Sequence, residues 1–336
     1  MARKLASIQI ISDISPIPDA DAIEVATVLG WHCVIRKDDG FRIGDRCVYF
    51  EIDSLLDKEN PRFATFEKNN YRIRTIKLRG QISQGLVMPI DILGPGEYEI
   101  GQDVSDILNV VKYEPPIPAC ISGIVRGPFP SYIPKTDETR VQILQDVLDR
   151  WDGTPVIITE KIDGSSMTIF FTSTYEDEPH FGVCSRNLEL KEEEENSLWR
   201  VARQHNLESI LRKHPQNLAI QGEIIGTGLN KNRYQLDGQD IYIFNIFEID
   251  NYRFFTHEET KAFCARYQLK MVPEKGPGIL NTSIDEIVEM ARGRSILNPK
   301  IFREGIVIRP LKEEKDPEIG RLSMKAINPD YLLKYE

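Results

Sequence analysis

The sequence predicts an α+β protein in which an N-terminal β-barrel precedes a larger domain of antiparallel sheets and helices. Two observations support this prediction. Residues from about 5 to 111 contain closely spaced strand-like segments with polar turns between them, whereas strand and helix patterns alternate from Pro155 onward. The chain has 336 residues, of which 41% are hydrophobic, and this is enough apolar material for two cores of ordinary domain size.

Three segments of the N-terminal region have the composition of strands. Residues 7–10 alternate between polar and apolar side chains, and residues 23–28 and 47–52 are rich in β-branched and aromatic side chains. Turn sequences with glycine, at residues 38–40 and 94–96, punctuate this region. Short strands with this spacing indicate a small barrel or a sandwich.

The segment from Pro115 to Pro134 is dense in proline, so we expect a linker without regular structure. Thr136 or Asp137 is then predicted to cap a helix that runs to about Arg150. The acidic run at residues 191–195 is predicted to be the solvated face of a helix. Beyond Pro155 the predicted strands are residues 156–159, 166–172, 218–223, 241–249 and 305–309, and the predicted helices are residues 190–204, 257–267 and 283–292.

Composition limits the classes of function. The formal net charge is -10, so a nucleic-acid ligand would require basic residues that are concentrated locally. The five cysteines are scattered and the five histidines lack metal-ligand spacing, which argues against a structural zinc site and favours buried thiols in the cytoplasm or another reducing intracellular compartment. We find neither a bilayer-spanning segment nor a signal peptide, and we expect no membrane partner.

The sequence Glu-Lys-Ile-Asp-Gly at residues 160–164 places a lysine at the end of an apolar strand. A glycine nearby permits a tight turn, which would point the Lys161 amine into a cleft. A free lysine has a pKa near 10.4, and burial or neighbouring cations would lower that pKa and make the amine nucleophilic. The motif by itself is weak, because an exposed turn has the same pattern.

Four later positions each allow a functional and a structural interpretation. Glu223 follows an apolar strand and either binds ribose or a metal, or is an edge-strand glutamate. In the alternating segment 241–247, either one phenylalanine stacks on a purine or every aromatic side chain belongs to the core. Glu304 opens an apolar strand and would suit a hydrated Mg²⁺. Lys325 lies inside an apolar strand, where it either contacts phosphate or extends to the surface.

In this order, the motifs around these residues resemble those of the covalent nucleotidyltransferases, the superfamily of DNA ligases, RNA ligases and mRNA capping enzymes. The resemblance covers roughly residues 129–336 and implies a nucleotidyltransferase (ATP-grasp-like ligase) domain. It implies that Lys161 forms a lysyl-AMP phosphoramidate from ATP. Its implied partners are Mg²⁺ or Mn²⁺ at Glu304, ribose at Glu223, adenine between Phe244 and Val307, the α-phosphate at Lys325, and the nucleotide and 5′-phosphate at Arg186, with Glu160, Ile162 and Ser166 as flanking cofactor-binding residues.

One position departs from the family pattern. The last motif of the superfamily commonly contains two lysines separated by one residue, and here the first of these positions is Ser323. The contact that this lysine makes in the family is therefore replaced by Arg321, or the contacts on the substrate side differ.

The N-terminal region has its own resemblance. Residues 14–26 are similar to the opening of tRNA-binding-type OB domains, and an N-terminal OB-fold joined to a ligase core resembles the fifth family of RNA ligases, which seal nicks in duplexes with an RNA 3′-OH strand. Residues 129–142 and 226–234 also resemble RNA ligases, in which an arginine placed like Arg140 approaches the triphosphate. We expect an OB-fold at 1–112, a linker at 113–128 and the nucleotidyltransferase domain at 129–336.

The segment from Tyr71 to Gly80 is basic with strand-like alternation, but Arg72 and Arg74 differ in parity from Lys77 and Arg79. A bulge near Thr75 would place all four cations on one face, where OB-folds bind nucleic acid. The alternative is an ordinary solvated strand. The whole pattern predicts a monomeric ATP-dependent RNA ligase, with two alternatives: a GTP-using capping-type guanylyltransferase and a non-catalytic RNA-binding protein.

Overall fold

The computed structural model describes residues 3–113, 125–175 and 177–335. Its N-terminal part is built from strands, as predicted. Three short 3-10 helices, at Lys37–Asp39, Pro61–Asn69 and Ile90–Leu93, connect some of them. The strands in chain order are β1 (Ala6–Pro16), β2 (Ile23–Val28), β3 (Trp31–Arg36), β4 (Arg46–Phe50), β5 (Ser54–Leu55), β6 (Thr75–Leu78), β7 (Gln81–Gln84), β8 (Leu86–Pro89) and β9 (Val111–Lys112).

Five of these strands form a curved sheet in the order β3-β2-β1-β4-β8. Strand β1 is long enough to pair with β4 through its first half and with β2 through its second half, with a register shift between Ile11 and Asp13. A register shift of this kind bends a strand, and here it curls the sheet around its own core. Trp31, Tyr49 and Phe63 are almost completely buried inside it.

The basic segment is divided by the fold. Strands β6 and β7 form a separate hairpin, in which Lys77 and Arg79 are exposed. Arg72 instead lies before the hairpin, where its guanidinium pairs with Asp53 and its side chain is only 12% exposed. The expectation that all four cations share one face is therefore wrong for Arg72, because a carboxylate of the barrel already binds it.

The proline-rich segment from Pro115 to Pro134 contains a short strand in its second half. Residues Val125–Pro128 form strand β10, which pairs antiparallel with Leu188–Leu190. The expectation of an irregular linker is wrong there, because an edge strand tolerates proline and glycine when its free side faces away from the sheet. The prolines at 115–118 and Cys120 lie outside the described residues.

The larger domain contains two main sheets. A five-stranded sheet has the order β11-β24-β21-β12-β20, and a larger sheet has the order β10-β15-β14-β13-β16-β17-β18, with β19 also paired to β17. The remaining strands are β11 (Thr139–Arg140), β12 (Pro155–Lys161), β13 (Ser165–Thr172), β14 (His180–Cys184), β15 (Leu188–Leu190), β16 (Leu218–Gly226), β17 (Gln239–Glu248), β18 (Arg253–Phe254), β19 (Lys270–Met271), β20 (Glu274–Ile279), β21 (Gly305–Pro310), β22 (Lys315–Asp316), β23 (Gly320–Arg321) and β24 (Met324–Ile327).

Helices cover the outer face of each sheet. An apolar cluster that includes Ile220, Ile243 and Phe263 fills the space between the larger sheet and α2–α4, and a second cluster packs α1 and α5 on the five-stranded sheet. Within the described residues, no helix combines the length and apolar character needed to cross a membrane. The helices are α1 (Gln145–Arg150), α2 (Ser197–Gln204), α3 (Leu207–Arg212), α4 (His257–Tyr267), α5 (Ile284–Ala291) and α6 (Pro329–Tyr335).

Two helix predictions were wrong in their first halves. Helix α1 begins only at Gln145, because β11 pairs in parallel with Met324 and Lys325 and a 3-10 turn follows at Val141–Ile143. Helix α2 begins at Ser197, where Asn196 caps the N–H groups of Leu198 and Trp199. The acidic run at 191–195 is therefore loop that precedes the helix, not a helix face.

The barrel and the larger domain share a core at the C-terminal helix. Ile327, Tyr331 and Leu332 are buried within the apolar cluster of the barrel. The N–H of Gly30, in the turn between β2 and β3, donates to the carbonyl of Gln142 over 2.8 Å. Helix α6 thus anchors the larger domain in the barrel.

Candidate active site

Strand register places several of the predicted residues on one face of the five-stranded sheet. Thr159 of β12 lies opposite Val307 of β21, which lies opposite Lys325 of β24, and Arg140 of β11 lies beside Lys325. Directly paired residues share a face of a sheet, and so do residues two apart on one strand. Lys161, two positions beyond Thr159, therefore projects from the same face.

The facing surface of the larger sheet has a β-bulge at Phe244. Gln221 pairs with Asn245, but the next residue, Gly222, pairs with Ile243, so Phe244 is left without a partner in the ladder. A bulge re-aims the bulged side chain. Because of the bulge, Phe244 and Asn245 both turn away from the helices, while Ile243 and Ile246 face the helices.

Lys161 is surrounded by carboxylates in the cleft between the sheets. Its Nζ donates to Glu304 Oε1 over 2.7 Å, and the side chains are 26% and 16% exposed. Glu223 Oε1 accepts from the N–H of Gly164 over 3.1 Å, three residues beyond the lysine. The structure therefore gathers Lys161, Glu223 and Glu304, which are distant in the sequence.

Gly164 is required for a close approach rather than for a turn of unusual handedness. A Cβ atom at this position would lie 2.3 Å from the carbonyl oxygen of Ile224, and the backbone does not adopt a positive φ. Any side chain would separate this turn from β16. The glycine thus allows its own N–H to reach Glu223.

Charges in the cleft shift several pKa values. Burial alone would lower the pKa of Lys161, but Glu304, Glu223 and Asp163 outweigh burial and raise that pKa, which is the reverse of the shift that nucleophilicity requires. Burial raises the pKa of Glu223 to about 8, with Lys161 opposing and Glu304 adding to the shift. Burial, together with Lys161 and Arg140, lowers the pKa of Lys325 to about 7.

The carboxylates fit a hydrated divalent cation better than an enclosed one. Among the described residues, no three histidine, cysteine, aspartate or glutamate side chains converge closely enough to enclose an ion directly. Glu304 Oε2 is nevertheless buried without a hydrogen-bond partner. An unsatisfied carboxylate oxygen suits Mg²⁺ or Mn²⁺, and Mg²⁺ in particular keeps several of its waters and needs only one or two protein oxygens.

Two arginines lie at the margins of the cleft. The guanidinium of Arg140 lies 3.6 Å from Asp53 and 5.6 Å from the centre of the Trp31 ring, so it occupies the junction with the barrel. Arg186 is half exposed and pairs with Asp137. Burial raises the pKa of Asp137, but Arg186, with a smaller contribution from the nearby Lys325, outweighs burial and lowers that pKa.

Three other predicted residues do not join the carboxylate cluster. Glu160 is buried, and its Oε2 accepts from the N–H of Ile296 over 2.6 Å. Ile162 belongs to an apolar cluster on which Phe244 also packs. Ser166 Oγ lies 3.2 Å from Thr136 Oγ1.

Sequence reasoning missed Arg309. Its guanidinium lies between the two sheets and makes three hydrogen bonds: to Ser323 Oγ at 3.0 Å, to the carbonyl of Phe244 at 2.9 Å and to Glu138 at 2.8 Å. A buried cation is thus present beside Ser323, where the family pattern has a lysine. The sequence does contain a signal that points to Arg309. This arginine lies two residues after Val307 in an apolar strand, so the two side chains are expected on the same face of the sheet.

Comparisons with known proteins agree with this architecture. A family profile described as an OB-fold domain matches residues 5–90, and the RNA ligase family profile matches residues 154–327. No curated protein matches the chain.

Solved structures of Naegleria gruberi RNA ligase align with almost the whole chain. A lysine-to-alanine variant with ATP and Mn is 39% identical, with 98% of both chains covered and a TM-score of 0.88. A lysine-to-methionine variant with AMP and Mn is 40% identical, with 98% of both chains covered and a TM-score of 0.89. The form with pyrophosphate is 40% identical, with the same coverage and a TM-score of 0.88. The chain therefore belongs to the RNA ligase family.

Proposed function

We propose that this protein is an ATP-dependent RNA ligase that joins an RNA 3′-OH to a 5′-phosphate, with nicks in duplexes as its substrate. The observation that carries the proposal is the position of Lys161, held against Glu304 in a cleft that also contains Glu223, Val307 and Lys325. Support comes from the Naegleria ligase, which was solved with ATP, with AMP and with pyrophosphate, the nucleotide consumed and the two small molecules released over the whole proposed reaction.

The proposed reaction has three transfers. The Lys161 amine, without its proton, attacks the α-phosphorus of ATP, so that a P–N bond forms, the P–O bond to the β-phosphate breaks and pyrophosphate leaves. An RNA 5′-phosphate oxygen then attacks the same phosphorus, which breaks the P–N bond and returns the lysine. Finally the 3′-OH attacks the 5′-phosphorus, loses its proton and releases AMP. Each step depends on positioning and charge stabilisation.

The role of each site residue follows from its chemistry and place. Phe244 and Val307 lie on facing sheets and are proposed to hold adenine between them. Glu223 is proposed to hold the ribose and Lys325 the α-phosphate. The flanking residues Glu160, Ile162 and Ser166 are proposed to support the nucleotide site from the turn and the strands around Lys161, and Arg140 and Arg186 are proposed to contact the phosphates at the margins of the cleft.

Activation of Lys161 requires a change in its surroundings. The proton that it must lose already hydrogen-bonds to Glu304 Oε1. A divalent cation, Mg²⁺ or Mn²⁺, held by the free oxygen of Glu304 would offset this carboxylate charge, lower the pKa of Lys161 and stabilise charge on the phosphates. The cationic Lys325 would act on the nucleotide in the same sense.

RNA is proposed to bind along the β6–β7 hairpin of the barrel. Lys77 and Arg79 are exposed there, and Ile76 and Leu78 are 42% and 39% exposed beside them. Cations that follow a backbone, with apolar side chains between them, form a surface of the kind that binds nucleic acid without sequence preference.

We propose that the protein acts as a monomer. We also propose that it acts in the cytoplasm or another reducing compartment, because the four described cysteines are buried free thiols.

The direct test is transfer of label from nucleotide to protein. Protein incubated with α-labelled ATP and Mg²⁺ should acquire label that is stable to denaturation, and Lys161→Ala should acquire none. Label that persists in Lys161→Ala would overturn the assignment of the nucleophile. Preferential labelling by GTP would instead support a capping-type guanylyltransferase.

A ligation assay tests the acceptor. Three substrates with a labelled 5′-phosphate should be compared: a nicked duplex with an RNA 3′-OH strand, the same nick with a DNA 3′-OH strand, and single-stranded RNA. We expect the first to be sealed fastest. RNA binding without sealing of any substrate would favour a non-catalytic binding protein.

A further inference from the structure

The loop between β16 and β17, residues 227–238, packs against the turn that follows Lys161. Its backbone is unusual, because Asn230, Lys231 and Asn232 all have positive φ angles, of 42°, 58° and 46°. A left-handed backbone conformation costs conformational energy in residues other than glycine. Three such residues in succession persist only where surrounding contacts hold them. Three of the contacts that hold this loop are made by Asp163, two residues after the candidate nucleophile.

Three residues of the loop converge on Asp163. Asn230 Nδ2 donates to Asp163 Oδ1 over 2.7 Å, and Arg233 donates to Asp163 Oδ2. The N–H of Asp163 in turn donates to Tyr234 Oη over 2.8 Å. Both carboxylate oxygens and the backbone amide of Asp163 are therefore committed to one loop, so a shift of the loop would displace the turn next to Lys161.

Arg233 also holds the C-terminal helix. The same Nη1 that meets Asp163 donates to Tyr331 Oη over 2.8 Å, and the guanidinium lies 4.6 Å from the centre of the Tyr335 ring. The side chain of Arg233 is only 18% exposed, and Tyr331 is buried in the barrel core. One guanidinium thus connects the turn of the nucleophile to a helix that is seated in the other domain.

We propose that Arg233 is a positioning residue that fixes the Lys161 turn relative to helix α6, so that formation of the lysyl adenylate depends on how the barrel seats this helix. The proposal rests on the proposed function. A planar guanidinium suits this task, because its fork can donate to a carboxylate and a hydroxyl while it lies over an aromatic ring. A displacement of the nucleophile by about 1 Å is enough to slow an in-line attack about 100-fold.

The test compares Arg233→Met, Arg233→Lys, Tyr331→Phe and the Arg233→Met/Tyr331→Phe double variant in the full chain. We expect Arg233→Met to lower the maximal rate of lysyl-adenylate formation by about 100-fold, with the KM for ATP within about twofold of the parent. Arg233→Lys should recover part of the rate. Tyr331→Phe should slow the parent but should cost little more in the Arg233→Met background.

A second measurement separates positioning from general damage. Sealing of RNA that already carries the 5′-adenylate needs no attack by Lys161, so Arg233→Met should impair it much less than adenylylation. Arg212→Met, which removes an exposed arginine from a pair with Glu208 on α3, is the matched control and should leave both reactions unchanged. Melting temperatures identify any variant that fails to fold.

Each outcome has a distinct meaning. If the parent protein forms no adenylate with ATP, the proposed function fails. If the parent forms it and Arg233→Met matches the parent, or loses both partial reactions equally, only the role of Arg233 is overturned. Additive effects of Arg233→Met and Tyr331→Phe would likewise overturn the proposed link, and the conservative Arg233→Lys and Tyr331→Phe variants test it should Arg233→Met not fold.

Discussion

The resting state of Lys161 is governed by its three neighbouring carboxylates. With Glu304 at 2.7 Å, and Glu223 and Asp163 close enough to raise its pKa, the amine is held as an ammonium ion. An ammonium ion has no lone pair with which to attack phosphorus. The same ion pair orients Lys161 in the cleft, so the substrate-free protein keeps its candidate nucleophile in place but inactive.

The role of Lys325 in binding ATP can be tested by varying the pH. Because its pKa is lowered to about 7, its charge in the free protein is lost as the pH rises through this value. If the cation binds ATP, the alkaline limb of kcat/KM for ATP should fall from about pH 7 in the parent protein. In Lys325→Arg this fall should disappear, because arginine keeps its proton at every accessible pH.

Adenylylation rates from pH 6 to 9.5 check this prediction. Lys213→Arg, at an exposed position after α3, serves as a control that should retain the parent profile. An alkaline limb that is identical in the parent and Lys325→Arg would show that another group causes it.

Among the secondary-structure elements, β17 is the one whose irregularity matters most for the site. Its bulge moves Phe244 out of the ladder and leaves its carbonyl to accept from Arg309. The result is a strand that packs isoleucines on helices along one face, while Phe244 faces the cleft on the other. In a regular strand, Ile243 and Ile246 could not both face the helices, because residues three apart lie on opposite faces. The bulge allows both isoleucines to face the helices while Phe244 faces the cleft.

Replacement of Phe244 tests whether its ring stacks on the adenine of ATP. Phe244→Leu should raise the KM for ATP about tenfold, since stacking of a base on an aromatic ring contributes about 1–3 kcal/mol. Phe247→Leu, at a fully buried position on the same strand, should instead lower stability by about 1–2 kcal/mol with little change in KM. Adenylylation kinetics together with chemical denaturation distinguish the two, and an unchanged KM in Phe244→Leu would argue against stacking.

The junction between α2, β17 and β19 contains a partly buried cluster of polar and charged side chains. Asp240 accepts from His205 over 2.7 Å and lies 2.7 Å from Lys270 Nζ. Although burial opposes it, these hydrogen bonds lower the pKa of Asp240 to about 2. Since the folded-state pKa is depressed, the cluster stabilises the fold above the unfolded pKa near 4, and that contribution is lost as the pH falls through about 2.

Asp240→Asn should therefore destabilise the protein in a pH-dependent manner. We expect a loss of about 1–2 kcal/mol at pH 7, after allowance for solvent screening, and a smaller loss at pH 3. Urea unfolding at both pH values measures it. Asp237→Asn, at an exposed position in the preceding loop, should have little effect, and a loss in Asp240→Asn that is independent of pH would contradict the electrostatic explanation.

For the whole molecule, the critical feature is the contact between the barrel and the larger domain. Helix α6 contributes Tyr331 and Leu332 to the barrel core, and the turn at Gly30 of the barrel contacts Gln142 of the larger domain. A Cβ atom on Gly30 would lie 2.8 Å from the carbonyl oxygen of Gln142 and equally close to Ile284. The domains approach each other too closely there for any side chain.

Gly30→Ala should consequently weaken the association of the two domains. We expect a loss of about 1–3 kcal/mol from overpacking, with a lower melting temperature and a larger effect on sealing than on binding of ATP. Gly127→Ala is the matched control, since an added Cβ meets nothing within 4 Å there. A melting temperature for Gly30→Ala equal to that of the control would mean that the interface accommodates the methyl group.

Local pattern in the sequence was enough to predict the fold class, the strand-rich N-terminal barrel, the long strands β12, β13, β16, β17 and β21, and at least part of helices α1, α2, α4 and α5. These follow from local periodicity and capping, which neighbouring residues encode. Helix α4 was predicted with its observed bounds, because a capping box at Thr256 and Glu259 marks its start. The order of short motifs likewise singled out Lys161, Glu223 and Glu304 and indicated the family before any contact was known.

Which charges meet depends on the three-dimensional packing of the chain. It paired Arg72 with Asp53, paired β11 with β24 in place of a helical turn, and raised the pKa of Lys161 where isolated reasoning expected a lower one. It also supplied Arg309 beside Ser323 and joined Arg233 to Tyr331. These outcomes depend on partners that lie from 14 to more than 140 residues apart in the sequence, beyond the few neighbouring positions that periodic patterns relate.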